Sequence, residues 1–102
     1  MIFRMDILNE TAPEVPPLLE ELKTEHKVVG LKQLKRALRE ERARQVFLAR
    51  DADPQLTASV LQLCSQYQVP YAWVCTMADL GKACGIDVGA AAAAVLKLSL
   101  IH

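Results

Sequence analysis

Two stretches of this chain hold side chains placed for molecular contact. The first is Gly30–Arg36, GLKQLKR, a basic segment at a predicted helix start. Lys32 and Arg36 are four positions apart, so a helix puts them on one side, with Gln33 beside them. Lysine at a helix start is locally unfavourable, because the unpaired N–H groups and the dipole make that end positive. A cation placed there points to an anionic partner. The second stretch is Ile86–Asp87–Val88–Gly89–Ala90, an apolar loop between Gly85 and Gly89 that runs into five alanines. A glycine-bounded apolar loop of this kind suits contact with a partner better than packing alone.

Catalytic constellations are hard to find. The chain has no glycine-rich phosphate loop, no nucleophile elbow and no metal-ligand spacing. Cys64, Cys75 and Cys84 are odd in number and lack a CxxC pair, which favours reduced, buried thiols in a cytosolic protein. Cys84, beside Gly85, is the candidate reactive thiol, but a free cysteine in an apolar helix is more often packing. Asp51 and Asp53 could form an acid pair; their place before Pro54 makes helix capping the better reading. His26 and His102 are far apart in sequence. Tyr71 and Trp73 in a strand read as core or sheet-edge residues rather than a base-stacking platform. The expectation is a binding protein with no enzymatic activity, no cofactor, no metal and no small-molecule substrate.

Charge is unevenly distributed. The formal net charge is zero. Residues 1–26 nevertheless hold six acidic and two basic side chains, whereas residues 27–50 hold eight basic and two acidic. The middle of the chain is a local cation able to attract phosphates, or in a blander reading a solvated helix face. No run of 18 apolar residues exists, so no membrane span is expected, and the start shows no secretory apolar region. A chain of 102 residues, 52% of them hydrophobic, can build one core without disulfides.

The elements that must position the two stretches can be read in order. Residues 1–17, with Pro13, Pro16 and Pro17, form a peripheral N-terminal extension, and residues 18–102 form the domain. Pro17–Glu25 reads as a short amphipathic helix with Leu18, Leu19 and Leu22 on one face. Lys27–Val29 is a strand ending on Gly30. Leu31–Ala43 is a helix burying Leu31, Leu34, Ala37 and Leu38. Val46–Ala49 is a strand covered on both faces. A helix capped by Asp53 runs from Pro54 to Tyr67, Tyr71–Cys75 is a strand, and Met77–Cys84 is a helix capped by Thr76 and stopped at Gly85. Ala90–Ala94 has high helix propensity. Val95–Leu100 alternates like a strand, however, and a strand from about Ala91 to Leu98 completes the order. Alternating elements with burial on both faces give an α/β fold, a single-domain three-layer α/β/α sandwich with a small mixed sheet.

These residues resemble a known family. VVGLKQLKRAL at 28–38, VFLARDADP at 46–54, VPYAWV at 69–74 and LGKACGIDVGAAAAAV at 80–95 are similar to the kink-turn-binding ribosomal proteins of the seven-Ae type, in their short bacterial branch. The last piece is the most specific. The resemblance covers roughly Leu18–Leu98. It implies an α/β/α sandwich that binds kink-turn RNA, a bent duplex with tandem sheared G·A pairs beside a three-nucleotide bulge.

Ordinary A-form RNA hides its major-groove edges; a kink opens them to a helix start. The resemblance then implies a role for each residue. Gly30 lets the backbone approach closely, and Leu31 beside it belongs to the same contact stretch. Lys32 and Gln33 reach guanine edges, and Arg36 reaches a phosphate or base edge. Ile86, Asp87, Val88, Gly89 and Ala90 hold the bulged nucleotide. The resemblance implies ribosome association; the cysteines and the start of the chain lead to a cytoplasmic protein, and a one-sheet domain of this size is expected to be a monomer. A protein-interaction module on the same fold is the alternative.

Two departures matter. Leu31 stands where the family commonly has threonine, and Ala78 and Asp79 stand where many relatives carry lysine, which should weaken RNA affinity.

Overall fold

The computed structural model describes residues 12–24 and 26–97. Expectations for residues 1–11, for Glu25 and for Leu98–His102 lie outside the described residues.

Strand alternation builds two cores. The strands are β1 (Lys27–Val29), β2 (Ala43–Ala49), β3 (Tyr71–Val74) and β4 (Ala92–Leu96), in the spatial order β1-β4-β2-β3. Successive side chains of a strand point to opposite faces. Val46, Leu48, Ala92 and Ala94 therefore join one buried cluster, while Phe47, Ala49, Ala93 and Val95 join the other. Helices α1 (Leu31–Arg39) and α2 (Pro54–Tyr67) cover the first face with Leu34, Ala37, Leu38, Val60 and Cys64. Helix α3 (Met77–Cys84) and a 3-10 turn at Leu19–Lys23 cover the second with Leu80, Cys84 and Leu22. Three layers result, as the alternation of elements predicts. Burial under α2 pushes the Cys64 thiol up to about 12, so it stays neutral.

The alanine run is a strand. Alanine's helix advantage over other ordinary residues is at most about 0.7 kcal/mol per residue. Against it, β4 lies between β1 and β2, both antiparallel to it, and gains ladder hydrogen bonds on each side. Ala92, Ala93 and Ala94 are fully buried, so both faces also count toward the strand.

Several boundaries differ from expectation; β3 stops at Val74 and β4 runs from Ala92 to Leu96, and larger differences lie elsewhere. Helix α1 ends at Arg39, not Ala43, because Glu41 takes a left-handed conformation (φ 58°). The Glu41 N–H then donates to the Leu38 carbonyl and the Arg42 N–H to the Ala37 carbonyl, a Schellman closure made without glycine. Strand β2 consequently starts at Ala43. The Pro17–Glu25 helix is a single 3-10 stretch, which buries Leu22 and leaves Leu18 exposed. Within residues 12–17, Ala12 is buried, the Val15 N–H donates to the Tyr71 carbonyl, and the Tyr71 N–H donates to the Pro13 carbonyl. This segment covers the free edge of β3.

Candidate nucleic-acid interface

Topology brings the two stretches together. Strands β1, β2 and β3 are parallel, so their C-terminal ends and the start of β4 share one end of the sheet. All three helices begin there. Two of them are capped by side chains. Asp53 accepts from the Gln55 N–H at 2.9 Å at the start of α2, and Thr76 accepts from the Asp79 N–H at 3.0 Å at the start of α3. Helix α1 has no side-chain cap and no acidic residue in its first turn. Its N-cap is Gly30, at φ 104° and ψ 153°, a conformation open essentially to glycine alone. The first amides of α1 are therefore left for an outside acceptor.

The loop between α3 and β4 is built by close packing. Gly85, left-handed at φ 82°, ends α3, and the Ile86 N–H donates to the Gly81 carbonyl at 3.1 Å. The chain then folds back over α3. A Cβ on Gly81 would overlap the Val88 carbonyl, and one on Gly89 would lie 3.1 Å from the Met77 Cβ. The Ala90 N–H donates to the Met77 carbonyl at 3.0 Å. The following residues are bonded into the sheet end: the Ala49 N–H donates to the Ala91 carbonyl and the Gly30 N–H to the Ala92 carbonyl, both at 3.0 Å. Gly30 thus sits against the residue two past the loop.

The sequence-predicted site residues divide into presenters and positioners. Lys32, Gln33 and Arg36 are exposed and, with Arg39, line one shallow depression on α1. Ile86, Asp87, Val88 and Gly89 are exposed, Val88 at 69%. Leu31 is half-buried against the core beneath α1, and Ala90 is 5% exposed. These two hold the backbone in place and offer little side chain to a partner. Arg36 is tied through Nε to Glu40 Oε2 at 3.2 Å, and Arg42 Nη1 reaches the other oxygen, Oε1, at 3.0 Å. The Arg36 hydrogen bond, with the charges of Arg36 and Arg42, holds the exposed Glu40 carboxyl below its usual range.

One positioning residue escapes sequence reasoning. Asp51, read there with Asp53 as a cap for α2, instead accepts from the Met77 N–H at 2.8 Å. It ties the end of β2 to the first residue of α3, against which Gly89 and Ala90 rest. The partners are 26 residues apart and no local motif marks the pair.

The other candidate chemistry is not assembled here. Cys84 is 6% exposed, and burial pushes its thiol up, partly offset by the Lys27 charge, which is the wrong direction for a nucleophile. Trp73 packs against the core of the first sheet face, with Tyr71 edge-on to it and the Arg50 guanidinium 5.3 Å over its ring. Among the described residues no group of three His, Cys, Asp or Glu side chains could hold a metal, and no helix is long and apolar enough to cross a membrane.

Sheet order, layers and the junction of an uncapped helix start with a glycine-packed loop define a single-domain α/β protein of the seven-Ae kind. The sequence model of the ribosomal protein L7Ae/L30e/S12e/Gadd45 family matches residues 16–100, and the chain belongs to that family. It is 46% identical over 69 residues to a protein of Bacillus pumilus named RNA-binding protein, a match covering 68% of this chain and 84% of that one. It is also 46% identical over 70 residues to RNA-binding protein YbxF of Geobacillus stearothermophilus, covering 69% and 85%. Among solved structures, the Giardia lamblia 15.5kD RNA binding protein superposes with a TM-score of 0.76 at 22% identity, over 93% of this chain and 86% of that one. At that identity the likeness speaks for the fold alone.

Proposed function

We propose that this protein binds kink-turn RNA at the sheet end formed by Gly30–Arg36 and Ile86–Ala90, and that it does so without catalysis, as a monomer associated with the ribosome in the cytoplasm. The observation that carries the reading is the Gly30 N–H to Ala92 carbonyl bond. It seats an uncapped, basic helix start beside an exposed apolar loop. The two halves then have separate tasks. Lys32, Gln33 and Arg36 read guanine edges and phosphate in a groove that the kink opens, with the free amides of α1 available to an anion. Ile86 and Val88 give an apolar surface on which an unstacked base can rest. The names of the bacterial relatives support RNA as the partner class. Both halves of the proposed site fall within residues 18–102, and the segment 12–17 supports them from the edge of β3.

The test is a titration of a short kink-turn RNA at two salt concentrations. The control is the same RNA with its G·A pairs replaced by Watson–Crick pairs. Tight, salt-sensitive binding to the first and weak binding to the second is the expected result. Equal weak binding to both would overturn the reading and favour a protein partner for this sheet end.

A further inference from the structure

We propose that the outer face of α1 continues beyond the helix start as a phosphate-binding track, with Arg39 and Arg42 carrying the backbone of an RNA stem that flanks the bend. The inference rests on the RNA reading above but concerns residues outside the base-reading site. Helix α1 packs its inner face through Leu34, Ala37 and Leu38, all buried. Its outer face therefore presents Lys32, Arg36 and Arg39 in line, at intervals of four and three residues. Seven residues of helix rise about 10 Å. A duplex carries a phosphate charge every few ångströms of axis, so the row can meet more than one phosphate.

Two further observations favour a track over a merely solvated face. Arg39 shares one depression with Lys32, Gln33 and Arg36, so its charge borders the same concavity as the base-reading residues. Arg39 has no ion pair among the described residues, which leaves its charge uncompensated. Beyond the helix end the row turns through Glu40. The two oxygens of Glu40 hold Arg36 and Arg42 on either side, so one carboxylate fixes two guanidiniums and neutralises only one charge. Each guanidinium keeps further N–H groups for phosphate oxygens.

The test uses the full chain and two RNAs that share one kink. One has stems just long enough to form the bend; in the other both stems are extended. Wild-type protein should bind the extended RNA with a steeper dependence of log affinity on log salt. The double variant Arg39→Gln/Arg42→Gln should lower that slope by about 1.5, at roughly 0.7–0.9 per phosphate no longer neutralised. On the short RNA the same variant should lose a clearly smaller part of the slope, because its stems end before the track. The Arg39→Lys/Arg42→Lys variant should keep the slope, since the track needs charge more than guanidinium shape. An unchanged slope on the extended RNA would overturn the track. So would an equal loss on both RNAs, which would assign the two arginines to the bend itself. Failure of the wild-type protein to prefer the short kinked RNA over the same RNA with Watson–Crick pairs in place of its G·A pairs would instead overturn the function proposed above, and the track with it.

Discussion

Gly30 and Gly81 stand on the two halves of the proposed interface and lack side chains for opposite reasons. A Cβ on Gly30 would meet no atom within 4 Å; the backbone angle demands glycine there. Gly81 lies inside α3 with ordinary helical angles, and the space for its Cβ is already filled by the Val88 carbonyl. The α1 half is thus set by local backbone geometry and by charge. The loop half is set by contact across the top of α3. The first should break when charges are removed and the second when bulk is added, and substitutions can be ranked on that basis.

Gly81→Ala should have the largest effect. Overpacking a tight site costs typically 1–3 kcal/mol, and a backbone carbonyl yields less readily than a side chain, so about 3 kcal/mol is expected. The urea midpoint should fall, and RNA binding should fall further because Val88 and Gly89 are lifted from α3. An unchanged midpoint would show that the loop is not held by this contact.

Next come the cations and the amide of the α1 half. Lys32→Ala, Gln33→Ala and Arg36→Ala should each weaken binding to a kink-turn RNA by about 1–3 kcal/mol. Stability should change little, since all three side chains are exposed. Arg36 should fall at the low end, because Glu40 holds its Nε. Titration of the three variants beside their unfolding curves separates binding from folding. Unchanged affinity in all three would remove this helix start from the site.

The difference between the halves also explains what could be read from the chain. The α1 half was legible because its signals are local: a glycine, then cations at helical spacing above Leu34, Ala37 and Leu38. The end of the same helix was not, since Glu41 turns the chain in a conformation that normally calls for glycine. The loop half was legible in outline through Gly85 and Gly89. Its support was not, because the Asp51–Met77 bond joins residues brought together only by the parallel pairing of β2 and β3. For the alanine run, helix propensity and strand order gave opposite answers. Burial on both faces decides for the strand, and that is a property of neighbours rather than of alanine. The resemblance carries the proposed contact stretches through Leu31 and Ala90; only packing shows that these two face inward.

Val88→Asp sharpens the comparison at an intermediate size. The side chain is 69% exposed, so folding should change by no more than about 0.5 kcal/mol. Burying a valine against an apolar surface contributes about 1.5 kcal/mol, and a carboxylate beside Asp87 would lose that and repel phosphate. Binding should therefore weaken by about 1.5 kcal/mol or more while the unfolding curve stays put. A variant that binds as wild type does would mean that no nucleotide rests on Val88.

The smallest effect is a gain, and it tests whether the loop half is short of charge. Asp79 lies in the first turn of α3, exposed, and its own N–H is bonded to Thr76. Its carboxylate complements the helix dipole, worth about 0.3–1 kcal/mol, and Asp79→Lys should cost the fold that much. The same change turns one negative charge in the first turn of α3 into a positive one. If RNA passes over this end of α3, affinity should rise at low salt, the salt slope should steepen by about 0.7–0.9, and the advantage should fade as ionic strength increases. Binding and stability then move in opposite directions, which no general effect on folding could produce. A fall in both would place the RNA away from α3 and leave the loop as a brace for the α1 half.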